Sequence, residues 1–192
     1  KSKNFEMVIV STEDQEIASI AKSAGAEVPF IRPKHLAQDT TPMKDVIAHC
    51  IKELYSLGYY FDILTNRDCT APFLRNSDIK GTINLLKQKK CDAVVAAYKT
   101  HLNPYFNMME FNSKGKLKFS KKARRSIYGR QMAPPVFQLT GFQTINVKQF
   151  LKYKKIYMPK VLPYEIPPET GLMIDTEYEF KIAECLAKEY WK

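Results

Sequence analysis

For its first hundred residues the chain alternates short apolar runs with amphipathic stretches. Met7–Val10 is continuously apolar, the pattern of a strand buried on both faces. From Asp14 to Ser23, Ile17, Ile20 and Ala21 share one helical face, and Gly25 ends the run. Thr12, with Gln15 three residues on, has the form of a capping box for that helix. Val28–Ile31 predicts a second strand, which stops at Arg32-Pro33, and a polar loop follows to Thr41. Pro42 opens a helix with Val46, Ile47, Cys50, Ile51 and Leu54 as its buried stripe, closed by Gly58. Phe61–Leu64 reads as a strand, Ser77 or Asp78 as the cap of a helix running to about Lys89, and Cys91–Ala97 as another strand. Repeated strand–helix alternation predicts an α/β fold: a mostly parallel sheet with helices on both faces.

After Lys99 the pattern changes. Phe106–Phe111 and Lys116–Phe119 flank Asn112-Ser113-Lys114-Gly115, a hairpin signal, and a loop rich in lysine and arginine follows over residues 120–131. Val136–Val147 predicts a strand and Lys148–Tyr153 a short helix. Met158–Pro168 carries enough proline to be an extended edge or connector, and Asp175–Tyr190 reads as a terminal helix. Neither repeats nor a low-complexity linker interrupt the chain, and its 192 residues fit one domain.

Composition narrows the class. Hydrophobic residues make up 45% of the chain, enough for a sizeable core, yet no apolar run approaches 18 residues, so the expectation is no membrane span. The polar start, Lys1–Glu6, does not form a signal peptide. Four scattered cysteines without a C-x-x-C pair suit a reduced cytoplasm and argue against zinc. The net charge of +10 favours anionic ligands. Its lysines and arginines fall in short clusters, at 87–90, 114–125 and 152–155, without a sustained basic helical stripe, and so do not point to nucleic acid.

Candidate chemistry concentrates where the third strand ends. Residues 63–75 leave an apolar run and enter a turn carrying Asp68, Thr70, Pro72 and Arg75. In open α/β sheets ligands bind beyond the carboxyl ends of strands, so this turn is a natural site for a phosphorylated ligand. Three further polar segments hold comparable positions: 11–14 with Ser11 and Thr12, 32–40 with Arg32 and Thr40, and 174–179 with Asp175. Ordinary structural roles compete at several positions. Thr12, Thr40 and Asp175 each precede a helix and read equally as caps, Phe137 as core, Arg130 as a solvated charge, and Arg75 as a partner of the next helix.

Together these segments resemble the acylneuraminate cytidylyltransferases, also called CMP-sialic acid synthetases. Val8-Ile-Val-Ser-Thr-Glu-Asp14 is similar to that family's V-V-S-T-D-D strand end, and Arg32-Pro33-x-x-Leu36-Ala37-x-Asp39-Thr40 to its R-P-x-x-L-A-x-D-T loop. Asp68-x-Thr70-Ala71-Pro72-Phe73-Leu74-Arg75 is similar to its [QD]-P-T-S-P-L-R turn. Arg130-Gln131 with Pro134, Phe137 and Gly141 resembles its R-Q-x-x-P-x-x-[FY]-x-x-N-G segment, and Ile174-Asp175-Thr176-Glu177 with Phe180 its terminal I-D-T-x-x-D-[LF] motif.

The resemblance implies a nucleotide-diphospho-sugar-transferase-like, Rossmann-like fold with a hairpin or arm inserted in the second half, about 103–130, through which homodimers form. It implies transfer of CMP from CTP to the anomeric hydroxyl of an acidic nine-carbon sugar, with Mg²⁺ and release of pyrophosphate, in surface glycan synthesis. Ser11, Thr12, Arg32 and Thr40 would contact the nucleotide. Asp175 would hold the metal and, with Asp68 and Arg130, carry the chemistry. Thr70, Arg75, Gln131, Phe137 and Thr140 would line the sugar site, with Arg130 on the sugar's carboxylate, which a guanidinium fork suits. A related enzyme for another sugar and a non-catalytic relative are the alternatives.

Three departures mark a divergent member. The family's phosphate-cradling loop, L-A-R-x-G-S-K-x-x-x-x-K-N, would precede Lys1, so the expectation is a chain lacking roughly 30 residues of a strand–loop–helix unit. The metal motif has Met173 where the family has its first aspartate, and Thr140 replaces the asparagine before Gly141. The sugar is then expected to be legionaminic, pseudaminic or a related acid.

Overall fold

The computed structural model describes residues 4–190; the first three and last two residues, part of the polar start among them, lie outside the described residues. The fold class is α/β, as the alternation predicts. Five helices and six strands are present among the described residues: α1 (Gln15–Ser23), α2 (Met43–Ser56), β1 (Ile63–Arg67), α3 (Asn76–Lys89), β2 (Ala93–Lys99), β3 (Met109–Phe111), β4 (Leu117–Phe119), β5 (Phe137–Asn146), α4 (Val147–Tyr153), β6 (Val161–Glu165) and α5 (Glu177–Tyr190). The principal sheet has the order β1-β5-β2-β6, and β3-β4 form a separate two-stranded ribbon. The chain gathers into two compact units, one of residues up to 66, 76–94 and 143–162, the other of 67–75, 95–142 and 163 onward.

The first unit is organised around α2 and α4. Ile47 and Ile51, four residues apart on α2, pack with Ala93, Ile145, Val147, Phe150 and Met158 in one apolar cluster. Polar groups buried beside such a core must pair internally. Thr82 and Thr144 do so at 2.8 Å, and Thr65 reaches Thr144 at 3.2 Å. Asn146 starts α4 by accepting from the Gln149 N–H at 3.0 Å.

Two of the expected strands do not form. In their place stands one parallel bridge, Ile9 to Glu27, the latter just ahead of the expected 28–31 run, held by Val10 N–H to Glu27 O (3.0 Å) and Glu27 N–H to Val8 O (2.8 Å). Val8 is 53% exposed, so the apolar run lacks the two covered faces that a central parallel strand requires. The caps also differ from expectation. Asp14 caps α1, its carboxylate accepting from the N–H groups of Glu16 (2.7 Å) and Ile17 (2.9 Å), while the Thr12 hydroxyl accepts from Asp14 N–H. A carboxylate sits at the positive end of the helix better than a hydroxyl. Pro42 is the N-cap of α2, without a side-chain capping bond, so Thr40 does not cap it.

In the second unit, β6 is the edge strand that its proline demands, and Lys99 pairs with Glu165 at 3.0 Å. The ribbon is antiparallel with Met109 opposite Phe119 and Phe111 opposite Leu117. Those four side chains share one face and are exposed, whereas Glu110 and Lys118 pair on the other. Helix α5 begins with a capping box. The Thr176 hydroxyl accepts from Glu179 N–H, and the Glu179 carboxylate accepts from both Asp175 N–H and the Thr176 hydroxyl, each at 2.9 Å. The cap is therefore Thr176, which releases the Asp175 side chain from that duty.

Candidate functional site

The residues singled out from the sequence divide between the units. In the first, Arg32 is drawn onto the segment 11–14. Its N–H donates to Thr12 O at 2.9 Å and its guanidinium to Glu13 Oε2 at 2.6 Å. That hydrogen bond holds the Glu13 carboxyl below its ordinary range. Two polar atoms here, Ser11 Oγ and Arg32 Nε, are buried without a hydrogen-bond partner among the described residues. Buried polar atoms are nearly always paired in native proteins, so these two stand out by their unspent hydrogen-bonding capacity. Thr40 is exposed in the loop ahead of α2. Glu13 escaped the sequence reading; its signal was a carboxylate beside the motif's hydroxyls.

In the second unit the turn after β1 is built by a residue not singled out beforehand. Arg67 donates twice to Ala71 O (3.0 and 2.7 Å) and once to Pro72 O (2.7 Å), and burial makes its charge costlier to keep. The turn's first residue is fixed by Asp68 N–H to Gly141 O at 2.8 Å. Gly141 lies on β5 with φ +60°, and a Cβ there would stand 2.6 Å from Asp68 Oδ2. Only glycine suits both the backbone and the carboxylate. Thr70 O accepts from Ile174 N–H at 2.8 Å, which ties the 174–179 motif to the turn and leaves Asp175 one residue away. The Asp175 carboxylate is exposed and has no partner among the described residues.

Around this junction the wall is tight. Thr140 is 1% exposed, and its hydroxyl donates to Ala96 O at 2.9 Å. The one donor of Thr140, expected at the sugar site, is spent on the strand beside it. A Cβ on Gly171 would meet the Tyr98 ring at 2.7 Å and Thr140 Cγ2 at 2.8 Å, so Tyr98 and Gly171 join the site as shape-determining residues. Burial, then the nearby Glu179 carboxylate, push the Tyr98 hydroxyl's pKa up, which keeps it a neutral donor.

Arg130 and Gln131 sit exposed on a 3₁₀ turn, Arg130–Met132. The Arg130 guanidinium contacts His101 Nδ1 at 3.3 Å. His101 is steadied in turn, its carbonyl accepting from the Asn107 amide (2.9 Å), and buried Asn103 staples this loop to Pro134 O (2.9 Å). Phe137 is half-buried with the Lys99 ammonium 5.9 Å from its ring centre, and Arg75 is exposed at the end of the turn after β1. No group of three or more His, Cys, Asp or Glu side chains gathers as a metal cage among the described residues.

These motifs on this fold define a nucleotidyltransferase. The chain belongs to the cytidylyltransferase family, whose model matches residues 1–158. Its activity is CTP-dependent nucleotidyl transfer. It is 33% identical to a post-translational flagellin modification protein B of Campylobacter coli, over 98% of this chain and 80% of that protein. It is 29% identical to a CMP-N,N'-diacetyllegionaminic acid synthase of Campylobacter jejuni, over 96% of this chain and 78% of that one. In fold it is similar to a CMP:2-keto-3-deoxy-manno-octonic acid synthetase structure with CTP, with a TM-score of 0.65, 13% identity and 98% of this chain covered against 83% of that one. Among the described residues no helix is long and apolar enough to cross a membrane.

Proposed function

We propose that this cytidylyltransferase moves CMP from CTP to the anomeric hydroxyl of a legionaminic- or pseudaminic-type acid, in the cytoplasm, for surface glycan synthesis. The observation that carries the reading is the Ile174 N–H to Thr70 O bond. It unites a hydroxyl- and carboxylate-bearing turn with a carboxylate, Asp175, that the helix cap leaves uncommitted. The cysteines, all free, suit a reducing compartment.

Each residue then has a task. Ser11 Oγ and Arg32 Nε supply hydrogen bonds to the nucleotide. Asp68 accepts a hydrogen bond from a sugar hydroxyl, held against Gly141 so that it need not reorganise during the reaction. Arg130, braced by His101, takes the sugar carboxylate, and Gln131 and Phe137 flank it. An uncommitted single carboxylate fits Mg²⁺, which is commonly held by one or two carboxylates with substrate phosphates and water completing its shell. Asp175 would hold the ion, which when bound neutralises phosphate charge. The exposed apolar face of Met109, Phe111, Leu117 and Phe119 supports a homodimer through the 103–130 arm.

The test is pyrophosphate release from CTP over a panel of nonulosonic acids, wild type against Arg130→Ala. The variant should lose affinity for the acidic sugar and keep its KM for CTP. An unchanged sugar KM would favour a neutral-sugar enzyme of the same fold.

A further inference from the structure

A dense cluster of positive charge involves none of these residues. Within the second unit, the end of the ribbon and the loop after it border an open depression of about 640 Å³. Lys118, Lys121, Lys122, Arg124 and Arg125 line it, with Tyr105, Phe119, Ala123 and Ile127 as apolar wall and Ser126 as a hydroxyl. Five cations within eight residues repel one another, and compensation inside the protein is slight. Lys118 reaches Glu110 at 3.7 Å on the surface. Lys121 is held over the Tyr105 ring at 5.7 Å, a contact that fixes the cation without neutralising it. Lys122, Arg124 and Arg125 have no acidic partner among the described residues.

We propose that this depression is a second anion site, which takes a polyphosphate chain of two or three phosphoryl groups. One carboxylate or one phosphate would leave most of the charge uncompensated, whereas pyrophosphate or triphosphate carries three to four negative charges on a short, oxygen-rich chain. Guanidinium forks and ammonium groups are the usual phosphate binders, and the volume lies in the range of small-molecule pockets. An extended polyanion would need a basic track, and the cations here converge on one depression.

Two sources share this chemistry: free pyrophosphate, the product of the transfer, and the triphosphate of a nucleotide. The experiment is calorimetric titration of the intact protein without sugar or metal, using sodium pyrophosphate, sodium tripolyphosphate, CTP and ATP separately. The comparison protein is Arg124→Ser/Arg125→Ser, an exposed pair whose loss leaves the core untouched. One polyphosphate-binding event per chain should weaken by about tenfold or more in the variant, at unchanged melting temperature, and should weaken in wild type as salt rises. Equal weakening of tripolyphosphate and nucleotide binding in the variant identifies the phosphate chain as the ligand; a larger loss for nucleotides adds the base, with Tyr105 as its platform. Either supports the site. Unchanged binding in the variant, equal binding of sulfate, or tighter binding of a DNA oligonucleotide than of tripolyphosphate would overturn it. Because neither sugar nor turnover enters the measurement, its failure would leave the proposed transfer reaction standing.

Discussion

Gly141→Ala is the substitution that most sharply separates shape from chemistry in the second unit. At φ +60° an alanine pays a left-handed backbone penalty of about 1–2 kcal/mol. Its Cβ would also stand 2.6 Å from Asp68 Oδ2 and 3.0 Å from Asp68 Cβ, against an ordinary contact limit near 3.4 Å. The carboxylate must therefore retreat by about 0.8 Å, while Asp68 N–H remains anchored to the residue 141 carbonyl. A displacement near 1 Å at a positioned group costs about 100-fold in rate, so kcat should fall between about 10- and 100-fold. Melting should fall only a few degrees, since each kcal/mol moves a protein of this size about 2–4 °C. Steady-state pyrophosphate release with CTP and sugar varied separately reads the first effect, and differential scanning fluorimetry the second. CTP KM should hold. If the variant melts lower yet turns over at the wild-type rate, the position of Asp68 is irrelevant to the reaction, and the argument from Gly141 fails.

Four further outcomes follow from the same geometry. Asp175→Asn should reduce kcat by at least about 100-fold and raise the Mg²⁺ needed for half-activity, at unchanged melting temperature, because the Thr176–Glu179 cap does not use that carboxylate. Arg130→Ala should raise the sugar KM by about 10- to 100-fold, the worth of one charged hydrogen bond, and His101→Ala should give a smaller rise of the same kind. Glu13 has a depressed folded pKa. Its contribution to stability is complete above the ordinary value of 4.5 and disappears as pH falls through the lower folded value, so Glu13→Gln should flatten the melting-temperature profile below pH 4.5. Burial pushes the half-buried Cys50 thiol up to about 11, and Cys91 is fully buried; maleimide at neutral pH should label Cys69 and Cys185 first, Cys50 far more slowly, and Cys91 only on unfolding.

The helices and the edge strand were readable because each carries its own evidence: apolar residues at helical spacing on α2, a glycine past the ends of α1 and α2, and Pro163 in β6. The strands that failed, 7–10 and 28–31, are the ones whose formation depends on neighbours rather than on their own residues. An apolar run states that a strand can be buried, not that a sheet covers it on both faces. Caps failed for a related reason. Thr12, Thr40 and Asp175 all stood at plausible positions, but choosing between Thr12 and Asp14, or between Asp175 and Thr176, depends on one or two residues of backbone phase. At the site, the motifs located the turn at 68–75 and the segment at 174–179, and the Thr70–Ile174 bond joins them. What the sequence concealed was support. Tyr98, Gly171 and His101 act through contacts with residues distant in the chain, which no local pattern marks, and Arg67 acts through the Ala71 and Pro72 carbonyls of its own turn. Thr140 shows the converse: a motif position can be occupied by a side chain whose hydroxyl is already committed.

The central claim is cytidylyl transfer to an acidic nine-carbon sugar. Its most direct test is mass-spectrometric identification of the product formed by the intact gene product from CTP, Mg²⁺ and a panel of legionaminic-, pseudaminic- and sialic-type acids, with pyrophosphate measured in parallel. The account predicts a CMP-sugar from at least one acid, formed one-to-one with pyrophosphate, and none when CTP is replaced by ATP, GTP or UTP. Absence of any CMP-sugar across the panel, or comparable turnover of a neutral sugar phosphate with another nucleotide, would contradict it.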